Sequence, residues 1–158
     1  MDIFNVNSIK EMFNRESMKD FKHEVLAAQL LKKDEGFKQH PYFINGVLHI
    51  GYGFNLDDMG ILLEEADFIL ANRIRMVEDE VVSNVGYYPT LSDNRRAILI
   101  NLCFSMGISK LMEIRKFHDA ILQKNWSRAA KELMDSESTK YNHSRMERLA
   151  YCFEVDKL

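Results

Sequence analysis

The chain has two cysteines, Cys103 and Cys152, in 158 residues. That is too few for a disulfide-stapled scaffold, and the pair lacks the spacing of a thiolate metal site. Both stand in apolar helical stretches, so two free thiols are expected. The five histidines (His23, His40, His49, His118 and His143) follow no metal-ligand spacing, so neither a metal nor a cofactor is expected. Long hydrophobic runs are missing as well. The longest, Ala97–Ile108, is interrupted by Asn101 and Ser105 and falls short of the ~20 residues of a membrane span. Met1 to Lys22 is too polar for a signal peptide, so a soluble chain without a readable export address is expected. There is no low-complexity linker, no internal repeat, and no interleaving of basic and aromatic residues of the kind that marks a nucleic-acid binder.

What is present is an ordinary globular composition, 46% hydrophobic and 28% charged, in a length sufficient for one domain or for a small lobe plus a larger one. The net charge of −3 is unevenly spread. Residues 1–90 hold 9 Lys/Arg against 15 Asp/Glu, whereas residues 91–148 hold 11 against 7. A positive second half would suit an anionic polymer; solvated helix faces that differ in sign account for it equally.

Apolar periodicity and turn chemistry divide the chain. Ser8 with Glu11 forms a capping-box pattern and predicts a short helix over 8–15. A longer helix from about 18 to 34 is expected from the spacing of Phe21, Val25, Ala28, Leu30 and Leu31, closed by Gly36. After it, Tyr42-Phe43-Ile44 and Val47-Leu48-His49-Ile50 flank Asn45-Gly46, the strongest short hairpin signal. A two-residue turn pairs Ile44 with Val47, Phe43 with Leu48 and Tyr42 with His49. Tyr42, Ile44, Val47 and His49 then share one face. From Ile61 to about Val82, Leu62, Ala66, Ile69, Leu70, Ile74 and Val77 recur at helical steps. Ser92 caps a helix running to Met106, with Ala97, Ile98, Leu102 and Cys103 inward and Gly107 at its end. Shorter helices are expected at about 109–113, 116–124, 126–135 and 143–153. The fold class is α+β, mostly α: a small antiparallel β-hairpin lobe and a larger helical lobe joined by a long helix.

From Leu31 to Asp58 the chain reads LKKDEGFKQHPYFINGVLHIGYGFNLDD. Asp34-Glu35-Gly36, Pro41-Tyr42 and His49-Ile50-Gly51-Tyr52-Gly53 resemble the signature of glycoside hydrolase family 24, the phage (T-even type) lysozymes. The resemblance continues through Asn55-Leu56-Asp57-Asp58, the Asn101-x-x-Phe104-x-x-Gly107 helix, Trp126-x-x-Ala129-Ala130, Ser136 and Arg145-x-x-Arg148, covering roughly residues 25–153. It implies a lysozyme-like domain over 25–158, with a β-containing lobe at about 36–60, a linking helix at about 61–83 and a helical lobe at about 90–158. Residues 1–24 are then an N-terminal helical extension, with a possible partner of its own. The implied activity is that of a muramidase acting on peptidoglycan glycan strands, as a monomer. Such a protein would be made in the cytoplasm and act on the cell wall after release.

Cleaving a glycosidic bond needs a carboxylic acid that protonates the leaving oxygen. Glu35, at a helix end beside Phe37 and a hairpin, is the expected acid, partly desolvated there. The second group departs from the family. Its usual Asp falls on Phe43 or Ile44, and no Asp or Glu lies between Glu35 and Asp57. His49 stands where the family has Thr, and an imidazole there would act as general base or as nucleophile; space-filling beside Tyr42 is the alternative. Tyr42, Ile44, Gly51, Asn101, Phe104 and Arg145 are the remaining expected cleft or substrate-binding residues. Arg145 matches a basic residue that approaches the acid in the family. The alternative to an active enzyme is a catalytically impaired protein of this fold that binds peptidoglycan or a protein partner.

Overall fold

A computed structural model of the chain describes residues 22–136 and 143–158. The helix expected over 8–15 and nearly all of the 1–24 extension lie outside them. The chain divides into two compact units, with the boundary between Leu62 and Leu63.

The first unit holds helix α1 (Lys22–Glu35) and a three-stranded antiparallel sheet in the order β1 (Lys38–Ile44), β2 (Val47–Gly51), β3 (Phe54–Asn55). Gly36, at φ +66°, ends α1 and returns its N–H to Lys32 O at 3.3 Å. Asn45 and Gly46 both take positive φ, 50° and 84°, the pair of values a two-residue type I′ turn requires. The register follows from that turn: Ile44 with Val47, Phe43 with Leu48, and Tyr42 with His49.

The third strand is a finding beyond the expected hairpin. In the non-hydrogen-bonded pair with Phe43, Leu48 turns its backbone groups away from β1. Leu56 N–H supplies one partner, to Leu48 O at 2.8 Å, and the Asp57 carboxylate accepts Leu48 N–H, also at 2.8 Å. Asn55 holds the turn that brings them there, its Oδ1 accepting from Asp57 N–H and Asp58 N–H at 3.0 and 3.1 Å. A two-residue strand carries no periodicity of its own, so only this side-chain chemistry announces it.

The second unit contains α2 (Leu63–Asn84), a 3₁₀ turn (Tyr88–Thr90), α3 (Asp93–Met106), α4 (Ile108–Glu113), α5 (Arg115–Leu122), α6 (Trp126–Met134) and α7 (His143–Val155). Ser92 caps α3 by accepting Arg95 N–H, and Gly107 leaves it at φ +80°. α2 and α7 pack on α3, and α5 and α7 pack on α6. Among the described residues every fully buried side chain lies in this unit. Leu99, Leu102, Leu111, Phe117, Leu133 and Phe153 form its centre, with the Phe117 and Phe153 rings 5.3 Å apart. Ile98, Leu102 and Cys103 face inward as expected, Ala97 only partly, and both cysteines are free thiols.

Apolar spacing and burial part company in both units. Leu30, Leu31, Leu62, Ile69, Leu70 and Ile74 recur at helical spacing yet remain exposed, and Val81 is the buried residue of α2. One helix and a small sheet have too little surface to enclose a core. The first half of α2 precedes the helices that bury its C-terminal end.

Among the described residues two polar side chains are buried in the helical core, Arg95 and His118. His118 Nε2–H donates to Leu111 O at 2.9 Å, and its Nδ1 accepts the Tyr87 hydroxyl at 2.6 Å. Burial pushes the Tyr87 hydroxyl up, which keeps it a donor. Burial also lowers the imidazole from its ordinary 6.5, against the opposing Leu111 hydrogen bond and the Asp119 charge. The folded state therefore binds the proton less readily than the unfolded chain. The stabilisation is fully present above pH 6.5 and is lost as the pH falls below it, by at most about 1.4 kcal/mol per pH unit. His118→Gln is expected to flatten that acid-side decline. Denaturation midpoints at about pH 5 and about pH 7.5, compared between wild type and variant, measure it.

Candidate active site

Glu35 is the last residue of α1 and is exposed to solvent rather than partly desolvated as expected, because the chain turns at once through Gly36 into β1 and the neighbouring Phe37 is itself exposed. Its carboxylate rests on Gly53. A Cβ at position 53 would stand 3.3 Å from Glu35 Oε2 and 3.8 Å from Cδ, and Gly53 takes φ +81°. The backbone favours glycine there, and a side chain at 53 would displace the Glu35 carboxylate by a few tenths of an ångström. Phe37 packs against Tyr52 with ring centroids 5.5 Å apart, and the Lys32 ammonium lies 5.6 Å from the Tyr52 centroid. Both contacts fall on Tyr52, the middle residue of the Gly51-Tyr52-Gly53 turn. Gly51 itself, at φ +66°, leaves room for the Phe54 ring, whose nearest atom would be 3.1 Å from an added Cβ.

His49 lies on the central strand that runs directly into that turn. Its Nδ1–H donates to Val47 O at 2.9 Å, so in the neutral ring the lone pair lies on Nε2. Tyr42, its cross-strand partner, lies 5.8 Å away centroid to centroid, with the Lys38 ammonium 3.9 Å from the Tyr42 ring centre. This positions the imidazole without consuming the nitrogen that would take a proton.

Ile44 is an exposed aliphatic side chain at the hairpin turn, 48% accessible. The carboxylate absent from this region is not replaced by Asp57, whose Oδ2 is committed to Leu48 N–H. Sequence reasoning gave Asp57 no role; the Asn-x-Asp-Asp run was its only trace.

The other expected site residues lie in the helical unit. Asn101 and Arg145 are brought together there: the guanidinium donates to Asn101 Oδ1 through Nη2 at 2.7 Å and Nε at 3.3 Å. Phe104, three residues along α3 from Asn101, is 47% exposed. Among the described residues no cluster of His, Cys, Asp and Glu could hold a metal ion, and no helix is long and apolar enough to cross a membrane.

Compared with known proteins, the chain matches no family model. It is similar to "Probable T4-type lysozyme 2" of Dictyostelium discoideum, 34% identical over 71 residues, which are 45% of this chain. The matched stretch spans 42% of that curated relative's length, so the likeness to a T4-type lysozyme extends over less than half of either protein.

Proposed function

We propose that the protein is a peptidoglycan hydrolase: a muramidase that cleaves the β-1,4 bond between N-acetylmuramic acid and N-acetylglucosamine. The observation that carries this reading is Glu35 at a helix end, its carboxylate seated on the glycine of the turn that follows the His49 strand. Glu35 in its acid form gives its proton to the glycosidic oxygen as the bond to the anomeric carbon breaks. His49 Nε2 takes a proton from the water that attacks that carbon, and Val47 O holds the Nδ1–H of the resulting imidazolium. The proton account closes when the two side chains exchange through solvent. Tyr42 and Gly51 shape this surface. Asn101, Phe104 and Arg145 are offered as glycan-contacting groups of the helical unit. The likeness to a probable T4-type lysozyme supports the same substrate class.

His49→Gln is expected to lower turnover about 10²-fold or more. Soluble reducing-sugar release from purified sacculi measures it, and an unchanged rate would remove His49 from the chemistry. An inverted product anomer identifies His49 as the base; a retained one identifies it as the nucleophile. A second reading rests on Phe43 and Ile44, exposed apolar residues at the two positions where the Asp of the lysozymes that this chain resembles would fall: a protein that binds peptidoglycan or a protein partner without cutting. Retained sacculus binding with no release by the wild type selects it.

A further inference from the structure

The helical unit carries a cavity of about 190 Å³ that the proposed chemistry does not use, formed where the 3₁₀ turn meets the α5–α6 connection. Leu91 and Ile121 supply buried apolar lining, and Tyr87 and Trp126 add aromatic rings. The Tyr87 hydroxyl is engaged with His118, so the ring rather than the hydroxyl is what an occupant meets. Trp126 is held from elsewhere in the core, with the Arg95 guanidinium 3.9 Å from its ring centre and the Phe153 ring 6.2 Å away. The remaining lining includes one charged residue, the exposed Lys124, and the Thr90 hydroxyl, which donates to Tyr87 O at 2.7 Å and keeps its lone pairs.

The backbone at Lys124 is a second, independent observation. Lys124 N–H bonds to Ile121 O at 2.8 Å and Asn125 N–H to Ala120 O at 2.9 Å, the paired bonds of a Schellman cap. This puts Lys124 at the left-handed position, φ +53°, where glycine is the residue without steric cost. Lysine there is conformationally unfavourable, and the side chain it adds is the cation of the cavity. No carboxylate lines the cavity to neutralise it.

We propose that this cavity binds a small carboxylate with a flat apolar body, of about the size of benzoate, with the apolar part between Tyr87 and Trp126 and the carboxylate paired with Lys124. The selectivity is for the anion: apolar lining and aromatic rings accept any small hydrophobe, and Lys124 distinguishes a carboxylate from a neutral isostere.

The test uses the full chain and its single tryptophan, Trp126, whose fluorescence reports on this cavity directly. Benzoate is expected to give a saturable change in the millimolar range, with benzyl alcohol weaker by about tenfold. Lys124→Gly is expected to weaken benzoate by about tenfold while holding or raising the melting temperature, because glycine relieves the left-handed backbone. Glu35→Gln is expected to bind benzoate as the wild type does, which separates this site from the hydrolytic one. A linear, unsaturating response in the wild type overturns the proposal. So does a Lys124→Gly protein that binds benzoate undiminished, whatever its melting temperature, because Lys124 would then play no part in holding the anion.

Discussion

Glu35→Gln is expected to reduce glycan cleavage by about 10²–10⁴-fold, the contribution of a general acid, with no measurable change in folding. The amide is isosteric with the carboxyl group, so it fits against Gly53 as the carboxylate does. What it cannot do is deliver a proton to a leaving alkoxide. The side chain is exposed and lies outside the buried core, so the stability change should stay within about 0.5 kcal/mol. A loss of activity without a shift in melting temperature therefore assigns the loss to chemistry. Soluble reducing-sugar release and a thermal melt on the same preparation measure the two quantities together.

The largest expected effect on stability comes from Arg95→Met. Arg95 is 8% exposed, and its guanidinium ties the start of α3 to the end of α7. Nε donates to Phe153 O at 2.9 Å, Nη2 to Glu154 O at 3.2 Å, and Nη1 pairs with Asp156 Oδ2 at 3.1 Å. Asp156 is held further by the Ser92 hydroxyl, and its own carbonyl accepts from Asn94 Nδ2 at 2.7 Å. Methionine fills most of the volume but removes the Arg95 donors from two carbonyls and the cation from a partly buried carboxylate, which keeps only the Ser92 hydroxyl. Removing one partner of such a pair costs about 3–5 kcal/mol, and the stacked charge over Trp126 adds to it. Arg95→Lys should recover only part, because an ammonium cannot reproduce the fork that reaches three acceptors. Urea denaturation followed by Trp126 fluorescence reads the helical unit itself, and a midpoint shift below about 1 kcal/mol would show that the network contributes little.

Local chemistry made much of the fold legible. Asn45-Gly46 specified its turn and, through it, the pairing of Tyr42 with His49. Gly36, Ser92 and Gly107 ended or capped their helices because positive φ and hydroxyl capping are properties of single residues. Burial was less legible. The apolar positions from Leu62 to Ile74 declare a helix face, but periodicity does not say whether a second layer covers it. Arg95 lies at helical steps from Ile98, Leu99 and Leu102, which places it on the inward face of α3. Its charge concealed a pattern that the spacing contained.

The candidate site divides in the same way. Glu35 and His49 could be named because a motif and a hairpin register place them. The contact of the Glu35 carboxylate with Gly53 could not, because a glycine in a sequence announces a close approach without naming what approaches. Asp57 was silent for a related reason. Its bond to Leu48 N–H depends on a third strand too short to carry a pattern.

The most direct test of the central claim is to digest purified peptidoglycan with the wild-type chain and with Glu35→Gln, reduce the soluble products with borohydride, and identify their reduced ends by mass spectrometry. The muramidase proposed here predicts muropeptides ending in reduced N-acetylmuramic acid from the wild type and none above background from the variant. Products ending in reduced N-acetylglucosamine, equal release by both proteins, or no release from the wild type would contradict it.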